Sequence, residues 1–180
     1  MAIREIVLAG GCFWGTQKFL SRLHGVIKTE AGYANGGGGQ PTYEEVCRSS
    51  GHAEAVWVRY DDRLITLPFL LSLYAETIDP TALNHQGGDH GIQYRTGIYY
   101  IDPDDRAAAE ELIAVLAEKQ AGLVGGGKPI VIEVAPLTDF WPAEDYHQDY
   151  LDKFPGGYCH INHVKMDRAA RVRDPQAAGE

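Results

Sequence analysis

A short strand that runs into glycine, cysteine and then a helix is the feature that most narrows what this chain can fold into. Ile3-Arg4-Glu5-Ile6-Val7-Leu8 has the apolar, β-branched make-up of a strand, and a helix can start at Thr16, with Phe19, Leu20 and Leu23 on roughly one side. Between them lies Ala9-Gly10-Gly11-Cys12-Phe13-Trp14-Gly15. The glycines let the backbone turn sharply, which puts Cys12 at or near a helix N-terminus and leaves its sulfur open. The partial positive charge and unpaired N–H groups of a first turn favour the thiolate, the nucleophilic form of cysteine. Phe13 and Trp14 set two large apolar faces beside it. A structural cysteine is usually found inside an apolar run, not among glycines and aromatics.

The same alternation of strand and helix continues along the chain. A strand is expected from Val26 to about Ala31, then a loop over Gly32–Pro41, whose four consecutive glycines lose too much backbone entropy on ordering to hold regular structure. That loop is no phosphate cradle, because no Lys-Ser or Lys-Thr pair follows it. Thr42-Tyr43-Glu44-Glu45 has the capping-box spacing and predicts a short helix through Val46 and Cys47 to Ser49, with Tyr43 in its first turn and Cys47 a small buried hydrophobe. Gly51–Tyr60 reads as a strand, Leu67–Ile78 as a helix stopped by Asp79-Pro80, and Gly97–Ile101 as a strand. Asp102-Pro103-Asp104-Asp105 opens a helix through Leu112, Val115 and Leu116. A strand over Ile130–Val134 and a short helix over Glu144–Leu151 follow. Interleaved elements of this kind argue for a mixed sheet with helices packed against it. A chain of 180 residues fits one domain, here a catalytic domain over residues 1–160 and a weakly ordered tail over 161–180.

Charge and cysteine usage exclude several classes. The net charge of −9 and the absence of a basic stripe argue against nucleic acid as a partner. No apolar run is long enough to span a bilayer, and the N-terminus enters a strand with no leader, so a cytoplasmic location is expected, without a membrane partner. Cys12, Cys47 and Cys159 are odd in number and widely spaced, which suits free thiols and not a disulfide framework. Cys159, His160 and His163 with His147 offer zinc ligands, but their spacing matches none of the usual paired-ligand patterns, and no metal is expected.

Several residues carry two readings. Alternation puts Glu54 on the strand face of Val56, Val58 and Tyr60, where desolvation would raise its pKa and make it a proton donor near neutral pH; alternatively it sits at the strand's frayed end and faces water. Thr81–Thr96 is a long, aperiodic, glycine-rich loop of the kind that is usually functional, with Asp89 and Tyr94 as its natural hydrogen-bonding groups; taken singly, each also fits a turn-forming Asp and a surface Tyr. Cys159 is either a free cysteine in a loop or, if the tail folds back, a thiol that attacks an oxidised Cys12. Three other classes remain open on the residues alone. They are a thiol hydrolase pairing Cys12 with His52 or His147, a thiol or metal-binding module, and a peroxide-reducing thiol enzyme for which Phe13 and Trp14 make the pocket larger than needed.

Six blocks, in order, narrow this further. Gly-Cys-Phe-Trp-Gly at 11–15, Pro-Thr-Tyr-Glu-Glu-Val-Cys at 41–47, Gly-His-Ala-Glu-Ala-Val at 51–56, Gln-Gly-Gly-Asp-His-Gly-Ile-Gln-Tyr-Arg at 86–95, Glu-Asp-Tyr-His-Gln at 144–148 and Gly-Tyr-Cys at 157–159 together resemble the A-class peptide methionine sulfoxide reductases. The resemblance implies an α+β fold, a mixed sheet with a ferredoxin-like core. It implies Cys12 as the nucleophile on the sulfoxide sulfur, Phe13 and Trp14 as the receptor of the methyl group, and Glu54 as the proton source for the oxygen. Tyr43 and Tyr94 would hydrogen-bond that oxygen, with Asp89 in support. Cys159 would close a disulfide with Cys12 for thioredoxin to reduce. The implied substrates are methionine-S-sulfoxide in proteins or peptides and free methionine sulfoxide, handled by a monomer without a bound cofactor. Ile161–Glu180 holds no second recycling cysteine, so a two-cysteine cycle is expected. Gly88, where the family commonly has Asn, and His90 are departures within the loop.

Overall fold

The computed structural model describes residues 2–178. Its first strand, β1 (Ile3–Gly10), ends at the glycine pair that turns the chain into α1 (Phe13–Ser21). The helix begins three residues before Thr16, since Cys12 is already its N-cap residue. Gly11 has φ +83°, and a Cβ there would meet the Gln86 side chain at 2.7 Å, so this turn needs glycine on both counts. β2 (Val26–Ala34) runs three residues past the expected end because pairing with its neighbours continues to Ala34. α2 (Tyr43–Cys47) is opened by the predicted capping box: Thr42 Oγ1 accepts from the Glu45 N–H at 3.2 Å, and Glu45 Oε2 accepts from the Thr42 N–H at 2.7 Å. In this one-turn helix Val46 alone is fully buried and Cys47 is exposed, which corrects its expected burial.

β3 (Ala53–Asp61) and α3 (Leu67–Ala75) follow, then a two-stranded hairpin of β4 (His85–Gln86) and β5 (Asp89–His90), a 3-10 turn at Ile92–Tyr94, and β6 (Thr96–Tyr100). The side chain of Asp102 caps a 3-10 turn at Pro103–Asp105, and α4 (Arg106–Ala121) continues from it. Leu112 and Leu116 of α4 pack on the core, whereas Val115 is exposed. The strand expected at Ile130 forms only as β7 (Glu133–Pro136), because the Val131 N–H is taken by the Pro80 carbonyl at 2.8 Å, outside the sheet. After β8 (Phe140–Pro142), a single helix over Glu144–Leu151 does not form. Asp149, at φ +51°, separates a 3-10 turn at Asp145–His147 from α5 (Tyr150–Lys153).

The segment expected to be a weakly ordered tail packs as structure as far as it is described; its last two residues lie outside the described residues. α6 (His163–Ala169) is capped by Asn162, buries Met166 and Ala169, and is followed by Asp174, whose Oδ2 accepts from the Thr66 N–H and hydroxyl at 2.8 and 2.7 Å. Few apolar residues are needed here because they land on a face already built by the earlier helices.

The six strands of the main sheet lie in the order β7-β6-β1-β3-β2-β8, antiparallel except for β6 with β7. The architecture is therefore α+β with a mixed sheet. One sheet face carries Ile6, Leu8, Val56, Val58, Tyr60 and Ile98 under the helices; the other buries a smaller cluster of Val7, Ala9, Ala55 and Tyr99. Among the described residues no helix is long and apolar enough to cross a membrane.

Tyr74 ties α3 to the end of β1 that delivers Cys12. It is fully buried and its hydroxyl donates to the Ala9 carbonyl at 2.6 Å, with the Gly97 carbonyl at 3.3 Å. Tyr74→Phe keeps the ring and removes the donor, so it should destabilise the fold by about 1 kcal/mol. Urea denaturation checks this as a lower midpoint at unchanged m-value.

Candidate active site

Five segments bring the candidate residues together: the β1–α1 turn, α2, the start of β3, the loop around β4 and β5, and the C-terminal segment. Cys12 caps α1 and is 8% exposed. Glu54, the second residue of β3, points to the helical side of the sheet as alternation predicts and is 1% exposed, so it is no frayed-end residue facing water. Its Oε1 accepts the Phe13 N–H at 3.2 Å, taking up one of the free amides of the α1 N-terminus.

These two acids hold their protons in an order the sequence does not predict. Burial is the main cause that pushes the Glu54 carboxyl up to about 8; the Phe13 amide opposes this and Asp89 adds to it. Burial also holds the Cys12 thiol well above its ordinary range, with further push from Glu54, Asp89 and Cys159. The Trp14 amide, turned toward the sulfur without closing a cap hydrogen bond, works the other way and is outweighed. The helix N-terminus expected to favour a thiolate is present, but its nearest amide serves Glu54, and the resting residue is a thiol.

Aromatic rings wall the site. The Phe13 ring lies 5.7 Å from Tyr33 and 5.2 Å from His147 between centroids. Trp14 stacks on Tyr150 at 3.7 Å, and its indole N–H donates to His147 Nδ1 at 3.0 Å. Tyr43, at the start of α2, lies 4.5 Å from the His147 ring. Burial raises the pKa of Tyr43, helped by a contact of its hydroxyl with Cys47, and raises that of Tyr94, which faces Glu54, Asp89, Cys12 and Cys47; both stay protonated donors. Asp89 sits on the hairpin, which Gln86 pins to the segment after α3 by paired hydrogen bonds with the Asp79 backbone at 2.8 and 2.9 Å. Asp89 Oδ2 is buried without a hydrogen-bond partner among the described residues.

Cys159 arrives from the C-terminal segment. Its sulfur would lie 3.0 Å from a Cβ placed on Gly15, one turn from Cys12, so the chain folds back as the resolving-thiol alternative requires. Cys12 and Cys159 are both free. Cys159 is half-buried, and burial raises its pKa.

The structure thus gathers Cys12, Phe13, Trp14, Tyr43, Glu54, Asp89, Tyr94 and Cys159 in one region. Sequence reasoning gives no role to Tyr33, whose hydroxyl donates to Glu144 at 3.0 Å, or to Tyr150 behind Trp14, and weighs His160 only as a zinc ligand. It weighs His147 only as a base or a ligand, whereas His147 accepts from the Trp14 indole. The density of aromatic and ionisable residues over 144–160 was the available signal. His52 is held by Asp139 at 2.8 Å and Ser50 at 3.0 Å, so neither candidate base of a hydrolase pairs with Cys12. Among the described residues, no group of three or more His, Cys, Asp or Glu is arranged to hold a metal ion.

The chain is similar to known proteins over most of its length. A family model described as peptide methionine sulfoxide reductase matches residues 4–177. The peptide methionine sulfoxide reductase MsrA of Lachnoclostridium phytofermentans is 53% identical over 167 residues, covering 92% of this chain and 97% of that protein. Methionine sulfoxide reductase A of Corynebacterium diphtheriae superposes with a TM-score of 0.82 at 37% identity, covering 88% of this chain and 78% of that one. Mxr1 of Saccharomyces cerevisiae, in complex with Trx2, matches with a TM-score of 0.52 at 27% identity over 83% of this chain and 85% of that one. The chain belongs to the peptide methionine sulfoxide reductases, a family of oxidoreductases that reduce methionine sulfoxide.

Proposed function

We propose that this protein reduces methionine-S-sulfoxide, free or within proteins and peptides, through a Cys12 sulfenic acid and a Cys12–Cys159 disulfide that thioredoxin recycles. The observation that carries the reading is the pairing of a buried, protonated Glu54 with Cys12 beneath aromatic rings. Cys12 Sγ attacks the sulfoxide sulfur while Glu54, with Tyr43 and Tyr94 as donors and Asp89 in support, protonates the oxygen. The oxygen passes to Cys12, the thiol proton returns to the carboxylate, and methionine leaves: the substrate sulfur is reduced by two electrons and the cysteine oxidised to sulfenic acid. Phe13 and Trp14 receive the methyl group. An apolar slot, a cluster of donors and a nucleophile fix three directions about the sulfur, which supports selection of one epimer.

Cys159 then displaces hydroxide from the sulfenic acid. The yeast relative's complex with Trx2 supports thioredoxin as the final reductant. The inner strands, β6-β1-β3-β2 with α1 after the first and α3 after the third in chain order, support a ferredoxin-like core. We read residues 1–160 as the catalytic domain, acting as a monomer.

The test is turnover of separated S and R epimers of a blocked methionine sulfoxide with dithiothreitol, where reduction of S alone is expected. Cys12→Ser should abolish reduction, while Cys159→Ser should release one methionine per enzyme and lose thioredoxin-driven cycling. Thioredoxin-driven rates equal to wild type in Cys159→Ser would refute the disulfide step.

Glu54 supplies a pH prediction. The reactive state carries a proton on both Cys12 and Glu54, so single-turnover reduction should be level below about pH 8 and fall roughly tenfold per pH unit above it. Glu54→Gln should slow the same step by roughly 10²-fold or more and abolish this dependence.

A further inference from the structure

His160 has no role in the scheme so far, yet its imidazole lies against the turn that carries Cys12. A Cβ on Gly11 would sit 3.4 Å from its Nε2, and a Cβ on Gly15 3.4 Å from its Nδ1 and 3.0 Å from Cys159 Sγ. The ring therefore spans the two glycines that bracket Cys12, with the Cys159 sulfur beside it. Both ring nitrogens are buried without a hydrogen-bond partner among the described residues; the Gly10 carbonyl is turned toward the ring but does not close a bond. Two buried ring nitrogens without partners are costly and call for an explanation, of which a catalytic role is one. Cys159, for its part, donates its S–H to the Ile161 carbonyl at 3.4 Å and begins as a thiol, which is a poor nucleophile. Histidine and cysteine share a groove of about 670 Å³ lined also by Lys18, Arg22, Ile161 and Met166.

We propose that His160 is the catalytic base of the recycling step, taking the proton of Cys159 as its sulfur attacks Cys12. The inference rests on the reading of Cys159 as the resolving thiol. As the Cys159 S–H proton moves to a ring nitrogen of His160, the S–S bond forms and the S–O bond of the Cys12 sulfenic acid breaks. The imidazolium returns the proton to the departing hydroxide, which leaves as water. Cys159 is oxidised, the Cys12 sulfur is reduced, and the histidine ends as it began. Burial favours the neutral imidazole, which suits a base at neutral pH, and Asp89 partly opposes this. The titratable and charged groups about the ring are the Cys159 thiol and the Asp89 carboxylate, with the Tyr158 hydroxyl beyond Gly87 and Lys18, Arg22, His163 and Asp167 along the groove.

Reduced enzyme mixed with one equivalent of methionine sulfoxide, then quenched with an alkylating reagent, reports methionine and the Cys12–Cys159 disulfide separately. In His160→Gln, disulfide formation at neutral pH should slow by roughly 10²-fold, with Cys12 sulfenic acid persisting long enough for dimedone to capture it. The deficit should shrink as pH rises, because hydroxide then deprotonates Cys159 directly. His160→Asn, read the same way, serves if the glutamine variant does not fold. A disulfide formed at the wild-type rate overturns the proposal, and so does a deficit that stays constant across pH, which would make His160 a structural residue. Methionine without any Cys12–Cys159 disulfide in the wild type would instead overturn the resolving role of Cys159, and the proposal with it.

Discussion

The hydrogen bond from the Phe13 amide to Glu54 is the contact on which the site depends. It joins the first turn of α1 to β3 and so fixes how far Cys12 stands from its acid. A helix N-terminus can stabilise one nearby anion well, and here it is turned to the carboxyl group. Even so, burial keeps Glu54 protonated up to about pH 8. Cys12, where burial and the nearby Glu54 and Asp89 outweigh the Trp14 amide, keeps its proton as well. In the proposed mechanism the site becomes competent when a substrate accepts the Glu54 proton, so the thiolate is withheld until the substrate oxygen is in place.

Rigid scaffold and short connections share the work of assembly. Tyr74 anchors the end of β1 from α3, and Gln86 anchors the Asp89 hairpin to the Asp79 backbone in the segment after that helix. The Trp14 indole is held on one face by Tyr150 and at its N–H by His147. The end of β1, the Asp89 hairpin and the Trp14 ring are therefore each held by a partner elsewhere in the chain. An aromatic wall built this way keeps its shape without a substrate, which lowers the ordering cost of binding.

Much of this was legible in the residues because it is local. The glycine-flanked Cys12 placed itself at a helix start, the Thr42–Glu45 spacing marked α2, and period-two alternation put Glu54 on the apolar face. What failed depends on distant residues. The Cys12 proton affinity is set by burial and by carboxyl groups 42 and 77 positions away, which no local pattern reports. Cys47 looked buried beside Val46, but a helix of five residues buries a single position. β7 starts at Glu133 because Pro80 claims the Val131 amide first. Residues 161–178 looked too polar to pack, yet Ile161, Met166 and Ala169 suffice once α1 offers a prepared surface.

The glycines of the Cys12 turn show how one motif serves two directions. Gly11 is needed for its positive φ and for the approach of Gln86, so it fixes the hairpin that carries Asp89 on the substrate side. Gly15 is helical and needs no unusual backbone. Its missing side chain instead leaves room for Cys159 Sγ and the His160 ring, on the side from which a second thiol comes. A methyl group there would meet the sulfur at 3.0 Å, and the Cys159 side chain would have to give way. Gly11 also borders the His160 ring, so in the proposed cycle the hairpin that carries Asp89 and the groups of the C-terminal segment meet the same short turn, with Cys12 between its two glycines.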